Sequence, residues 1–255
     1  DIRHDGAEVV YARNFNDIQT DQVLQSLWRV DTASGVQKPV TGEPGHYGSP
    51  RWSPDGTRIA YLETGKDGRT QIVLHWIGGE TAVLTHLTEA PSDLTWSPDG
   101  RQIAFVMLEP VAPPTLGKAV EKPAGASWAE GPTVIDRLNF RADGQGLDRT
   151  GFRHVYVVST DGGGTPRPLT SGPYSDAGPL AWSPDGRSVY FAGNRNADWM
   201  RDPEDWGRHT SMVLSIYRVE VADGALVRLS HEVGPYHAPT VSPDGKMIAY
   251  LGYVD

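Results

Sequence analysis

The sequence predicts an all-β fold: β-propeller blades of four antiparallel strands, about four blades plus part of a fifth, in an incomplete ring. Three observations carry that reading. A short motif recurs along the chain, an apolar strand-like run follows each copy, and no amphipathic run is long enough for a substantial helix. The motif reads Trp52-Ser53-Pro54-Asp55-Gly56, then Trp96-Ser97-Pro98-Asp99-Gly100, then Trp182-Ser183-Pro184-Asp185-Gly186. Val241-Ser242-Pro243-Asp244-Gly245 is a looser copy and Arg3-His4-Asp5-Gly6 a worn one. The 29 glycines and 20 prolines, about a fifth of 255 residues, suit a chain rich in turns.

The motif has a local physical meaning. Ser-Pro-Asp-Gly fits a type I turn, with Pro at the second position where its fixed φ belongs. Gly then takes the left-handed position that closes a three-residue hairpin loop with a bulge. The preceding Trp ends one strand and the following apolar run starts its partner: Glu8 to Asn14, Arg58 to Thr64, Gln102 to Leu108, Ser188 to Asn194 and Met247 to Tyr253. Third strands follow at Ser26 to Asp31, Gln71 to Ile77, His154 to Thr160 and Ser215 to Val221. Fourth strands with polar edges lie near Lys38–Thr41, Thr81–Leu87, Arg167–Thr170 and Val227–Ser230. Four short antiparallel strands per unit make a propeller blade.

The five motif glycines are 50, 44, 86 and 59 residues apart. The third interval is about twice a blade, yet its one turn-like stretch, Arg141-Ala142-Asp143-Gly144, precedes Gln145-Gly146-Leu147-Asp148-Arg149, which is no strand. The interval therefore reads as one blade carrying an insertion over 109–153. Blades are expected at roughly 1–45, 46–89, 90–174 and 175–234, with a partial one at 235–255. Strand parity puts the Ser-Pro-Asp-Gly turns on one face. The long second-to-third connections, Phe15–Gln25, Glu109–Arg153 and Gly193–Ser211, emerge on the other, and long loops on a rigid scaffold are where binding sits. A chain that starts at one blade's turn and stops after another blade's second strand cannot close a ring by ordinary pairing. It is expected to be a segment of a longer polypeptide.

Composition excludes several functions. A net charge of −9 weighs against nucleic acid, whose backbone needs a basic face. No run approaches the ~18 apolar residues of a membrane span, so no membrane partner is expected. With no cysteine, thiolate chemistry and Cys-ligated zinc are excluded. The eight histidines include no pair at i, i+4, and neither a metal nor another cofactor is expected. The opening Asp1-Ile2-Arg3-His4-Asp5 is neither a signal nor a transit peptide; in a segment of a longer chain the true N-terminus is unseen, so the compartment stays open, with the cytoplasm favoured. Gly125-Ala126-Ser127-Trp128-Ala129 lacks the second glycine of a nucleophile elbow, so no catalytic residue is assigned.

Two segments carry binding candidates. Gly193 to Trp206 holds Asn194, Arg195, Asp198, Trp199, Glu204 and Asp205. It reads either as a solvated loop whose tryptophans pack back on the blade, or as an aromatic and acidic rim that meets a peptide or a partner domain. Ile135 to Arg141 sets Arg137 and Arg141 beside aromatics. There an Asp136–Arg137 pair is structural, or an arginine binds a substrate carboxylate.

The same residues resemble the propeller of the prolyl oligopeptidase family of serine peptidases, in its acylaminoacyl-peptidase and dipeptidyl-peptidase-like branch. The Trp-Ser-Pro-Asp-Gly repeat is shared with TolB-type propellers. More specific are Lys122-Pro123 with Ala126 and Trp128, Val134-Ile135-Asp136-Arg137-Leu138 before Phe140-Arg141, and Asn194-Arg195 before Asp198-Trp199. Thr165-Pro166-Arg167 with Leu169-Thr170-Ser171-Gly172 adds to them, and the resemblance runs over essentially the whole chain. It implies a non-catalytic propeller that covers an α/β-hydrolase domain of the same polypeptide and admits short peptide substrates. The Ser-Asp-His triad would lie in that other domain. The resemblance also implies an acidic residue after Asp198-Trp199; this chain has Met200 there, which leaves Glu204 and Asp205 as candidates for holding a substrate amine. The alternative is a TolB-type or WD-like scaffold for protein partners.

If Trp52, Trp96 and Trp182 pack between blades, truncating any one to Ala should cost about 3–5 kcal/mol by core-cavity arithmetic. Denaturant midpoints of the three single variants measure it; parental midpoints in two of them would show that the repeat has been read in the wrong register.

Overall fold

The computed structural model describes residues 1–112, 117, 121–129, 135, 141–142, 146–147, 150–162, 164–195, 214–230 and 234–253. Among them every paired strand is antiparallel, and there is no helix. The first sheet joins β1 (Glu8–Asp17), β2 (Gln22–Asp31) and β3 (Gln37–Pro39). The second joins β4 (His46–Trp52), β5 (Arg58–Thr64), β6 (Thr70–Trp76) and β7 (Thr81–Val83). In the third interval come β8 (Pro91–Trp96), β9 (Gln102–Pro110), a small hairpin of β10 (Arg141–Ala142) and β11 (Gly146–Leu147), then β12 (Gly151–Ser159) and β13 (Arg167–Pro168). The fourth sheet is β14 (Ser175–Trp182), β15 (Ser188–Asn194), β16 (Ser215–Glu220) and β17 (Leu226–Arg228). A last pair joins β18 (His237–Val241) to β19 (Ile248–Leu251). The inner strands β4, β8, β14 and β18 touch in succession, and the sheets form an incomplete propeller.

Each motif is a hairpin turn held by one serine. Its hydroxyl donates to the motif aspartate at 2.5 Å in 53–55 and 2.6 Å in 97–99, 183–185 and 242–244. It also accepts, at 2.9 Å, the backbone N–H of Arg58, Gln102, Ser188 or Met247. The glycines take φ of 69°, 69°, 70° and 71°, where any Cβ is strained. Successive turns also touch: a Cβ on Gly100 would meet Pro54, one on Gly186 would meet Pro98, and one on Gly245 would meet Pro184.

The tryptophans close the seams between sheets. All three are buried, and Trp96 Nε1 donates to Arg51 O and Trp182 Nε1 to Thr95 O on the preceding inner strand. Apolar clusters follow the same plan. Trp96, Ile103 and Phe105 pack on Ala60, Ile72 and Leu74 of the sheet before, and Trp182, Val189 and Phe191 pack on Ala104, Val106 and Val155. A second repeated device closes each sheet: the hydroxyl of Thr41, Thr85, Thr170 or Ser230 accepts the N–H of Leu27, Ile72, Val155 or Ile216 at 2.9–3.2 Å.

Several expectations change in detail. The Phe15–Gln25 connection is no long loop, because β1 and β2 stay paired out to Asp17↔Gln22 and leave a short turn closed by Asp17. Gly146–Leu147, read as no strand, pairs with Arg141–Ala142, two residues a side. The third interval is nonetheless one sheet, since β9 and β12 pair continuously from Gln102↔Ser159 to Pro110↔Gly151. The fourth strands are shorter than expected, their last residues serving the hydroxyl contacts instead of the ladder. Each inner strand also carries an unforeseen bulge, with positive φ at Ser49, Asp93 and Ala238, and Gly178 in β14 where an added Cβ would collide with the Asp93 carboxyl.

The turn carboxylates link the fold to pH. The serine hydroxyl first, then the N–H two residues on, hold Asp99, Asp185 and Asp244 below the usual carboxylate range. At Asp55 partial burial pushes upward, and bonds from Ser53 and Thr57 outweigh it. Folded values below unfolded ones give stability that is present above about pH 4 and lost as pH falls through the folded values. Urea midpoints should therefore drop on acidification below about pH 4. Asp99→Asn, Asp185→Asn and Asp244→Asn should flatten that drop, and an unchanged slope in the triple variant would refute the assignment.

Candidate functional site

The face opposite the motif turns is where the connections over 111–150 and 196–213 leave the scaffold. On this side, between the third and fourth sheets, is a buried polar cluster built from ends of strands. Asp176 sits near the start of β14, fully enclosed, directly across from Gly193 of β15. An added Cβ on Gly193 would lie 2.9 Å from Asp176 Oδ1, so glycine there lets the carboxylate lie against the strand. Arg195, the residue after β15, places Nη2 2.7 Å from both Asp176 oxygens.

The cluster extends into the third sheet. Thr170 accepts the Val155 N–H and donates to Asp176 Oδ2 at 2.5 Å, so one hydroxyl ties the two sheets together. His154 of β12 is buried, with Nδ1 3.7 Å from Asp176 Oδ2 and Nε2 3.7 Å from Glu109 Oε2 of β9. The Arg195 guanidinium lies 5.5 Å from the ring centres of Tyr174, Phe191 and Tyr217, a cation in an aromatic enclosure. Burial pushes the Tyr217 phenol above its usual value, against the opposing pull of Arg228 and Arg195. His154 Nδ1 and Arg195 Nε are enclosed without a hydrogen-bond partner among the described residues.

Of the residues named from sequence, Arg195 stands inside this cluster and Asn194 is buried beside it at the end of β15, across from Ser175. Arg141 is exposed on β10. Arg137, Asp198, Trp199, Glu204 and Asp205 lie outside the described residues. Sequence reasoning missed Asp176, Thr170, His154 and Glu109. One signal was available: Asp176 holds the inner-strand position that Tyr47 and Pro91 hold in other repeats, a charge where the pattern calls for an apolar body. Among the described residues no group of three His, Asp or Glu is placed to hold a metal ion.

Comparison with known proteins matches this architecture. The model of the dipeptidyl peptidase IV (DPP IV) N-terminal region matches residues 143–251. The uncharacterized peptidase YuxL of Bacillus subtilis is 29% identical over 196 residues, covering 74% of this chain and 28% of the relative. Dipeptidyl-peptidase 5 of Porphyromonas gingivalis is 24% identical over 259 residues, covering 97% and 36%. Among solved structures, Pyrococcus horikoshii acylaminoacyl peptidase has a TM-score of 0.63 at 16% identity, covering 96% of this chain and 34% of that one. TolB from Acinetobacter baumannii has a TM-score of 0.55 at 21% identity, covering 96% and 47%. The two structural likenesses show the fold alone. The chain spans about a third of the length of the two curated relatives.

The cluster makes a quantitative demand. Asp176→Leu leaves Arg195 as an unpaired, enclosed cation and should cost about 3–5 kcal/mol. Thr170→Val strands the Val155 N–H and should cost about 1–3 kcal/mol. Chemical denaturation checks both, and a loss under about 0.5 kcal/mol for Asp176→Leu would mean that the pair does not form.

Proposed function

We propose that this chain, whose matches support a propeller domain of the prolyl oligopeptidase family, gates access of short peptides to an α/β-hydrolase domain of the same polypeptide and contributes to binding them. The observation that carries the reading is the span of the family match. It covers the 196–213 connection, the Asp176–Arg195 pair and the whole fourth sheet. Two long connections leaving one face of a rigid frame are the kind of element from which a size-selective gate is built. Arg141, exposed on β10, and Arg137, Asp198, Trp199, Glu204 and Asp205 on the connections are the proposed contacts for a peptide's charged ends. Asn194 and Arg195 would act from beneath them.

A TolB-type or WD-like scaffold for protein partners is the second reading, favoured by the shared repeat and the TolB likeness. A scaffold binds through a surface and needs no size limit on small ligands. The two readings therefore differ in the effect of shortening the connection over 111–150.

The complete polypeptide should hydrolyse acyl-peptide or dipeptide p-nitroanilides, whereas residues 1–255 alone should not. Replacing 113–149 by a short Gly-Ser turn should raise turnover of peptides of about 20 residues or more relative to dipeptides. An unchanged ratio would remove the gate. A complete polypeptide without hydrolase activity would return the chain to the scaffold class.

A further inference from the structure

The enclosed ion pair carries the largest desolvation cost of the ion pairs among the described residues. The seams on either side of the second sheet close mainly with apolar side chains, the Trp96 indole adding one N–H bond. The seam between the third and fourth sheets adds a carboxylate and a guanidinium, and buried ion pairs are on average no more stabilising than apolar replacements of similar volume. What such a pair does provide is geometry. Here one guanidinium nitrogen, Nη2, meets both oxygens of one carboxylate, a short charge-assisted contact that fixes the distance between the two strand ends.

The placement shows what is being fixed. Arg195 is the residue from which the 196–213 connection departs. Asp176 also takes the Thr170 hydroxyl from the preceding sheet. His154 and Glu109 flank the other departure point, where β9 ends at Pro110 and β12 begins at Gly151. The Arg153 N–H adds a bond across the seam to Ser175 Oγ. Both roots thus converge on one carboxylate. The Arg195 side chain is 11% exposed, with its charge already shared between two oxygens and walled by three rings, which removes it from direct reach of a ligand.

We propose that Asp176 and Arg195 form a positioning pair that holds the roots of the two long connections at a fixed spacing, so that Arg195 governs peptide affinity through those connections and not by touching the peptide. The proposal rests on the peptidase reading for its substrate. Its structural half stands apart from it.

The test uses the complete polypeptide with two variants, Arg195→Lys and the paired Asp176→Leu with Arg195→Met, the second replacing the ion pair by an apolar contact. Kinetics are compared for two short p-nitroanilides, one carrying a side-chain carboxylate and one neutral. KM should rise about fivefold or more in both variants, equally for both peptides, with kcat held within about twofold. The paired variant should keep its melting temperature. Unchanged KM in a paired variant of normal stability overturns the proposal, because the pair would then be structural only. A rise confined to the acidic peptide also overturns it, because Arg195 would then contact substrate. If the paired variant does not fold, Arg195→Lys decides by the same comparison. If the complete polypeptide cleaves no peptide, the peptidase reading falls, and amide exchange decides the structural half. Faster exchange at Arg153 and Leu214 in Arg195→Lys supports the clamp, and unchanged exchange at both sinks it.

Discussion

One serine hydroxyl in each of the four Ser-Pro-Asp-Gly turns holds the architecture in register. It donates to the motif aspartate and accepts the first N–H of the next strand, while the aspartate it holds accepts the N–H two residues on, so two linked side chains satisfy two backbone requirements of a tight turn. Proline presets the turn and glycine absorbs its positive φ. With the turn fixed, the motif tryptophan can sit only at the end of the inner strand, where the indoles of Trp96 and Trp182 reach a carbonyl of the preceding sheet. A local hydrogen bond thereby dictates a long-range seam. Contacts between each proline and the following turn's glycine extend the same constraint around one face.

With one face locked by turns, variation moves to the other. There the strands end in different ways. β1 and β2 run on as a projecting hairpin, β5 and β6 close with the paired Thr64 and Thr70 hydroxyls, and β9 and β12 open into a long connection. The closing hydroxyls of the fourth strands show how this face diversifies without loss of the scaffold. Thr85 accepts the Ile72 N–H and donates within its own sheet to Gln71, which also bonds the Leu87 backbone. Thr170 makes the same acceptor bond and turns its donor across the seam to Asp176. Redirecting one hydroxyl proton converts a sheet-closing contact into a link between sheets.

The sequence made the fold legible where chemistry is local and repeated. The five-residue motif, its glycine conformation and the starts of the second strands required no tertiary knowledge, and Arg58–Thr64 and Ser188–Asn194 coincide with the observed strands. The inner-strand bulges were harder to see, although Pro50, Pro179 and Pro239 inside three of the four strands are the mark of an interrupted ladder. The hairpin over Phe15–Gln25 was misread because polar residues such as Asn14, Asn16 and Gln25 look like loop while pairing needs only the backbone. The buried cluster was least legible. Its members are separated by up to 86 residues, and only sheet stacking brings Glu109 and Arg195 to the same carboxylate-centred group.

Arg195 shows why residue type alone misleads at such a site. An arginine next to an acidic, aromatic loop invites a ligand role, and its neighbours Asp198 and Trp199 strengthen that impression. Structure assigns its charge to Asp176 first. Moving Asp176 one position along β14 would turn its side chain to the opposite face of the sheet, since side chains alternate along a strand. The bulge between Ala177 and Ala181 protects this arrangement, because it absorbs the irregularity of the inner strand after Asp176 and before Trp182. The turn-face tryptophan and the opposite-face carboxylate of one strand can therefore each keep their own register. In that division the scaffold is fixed at one end of β14, while the other end is free to carry a charge.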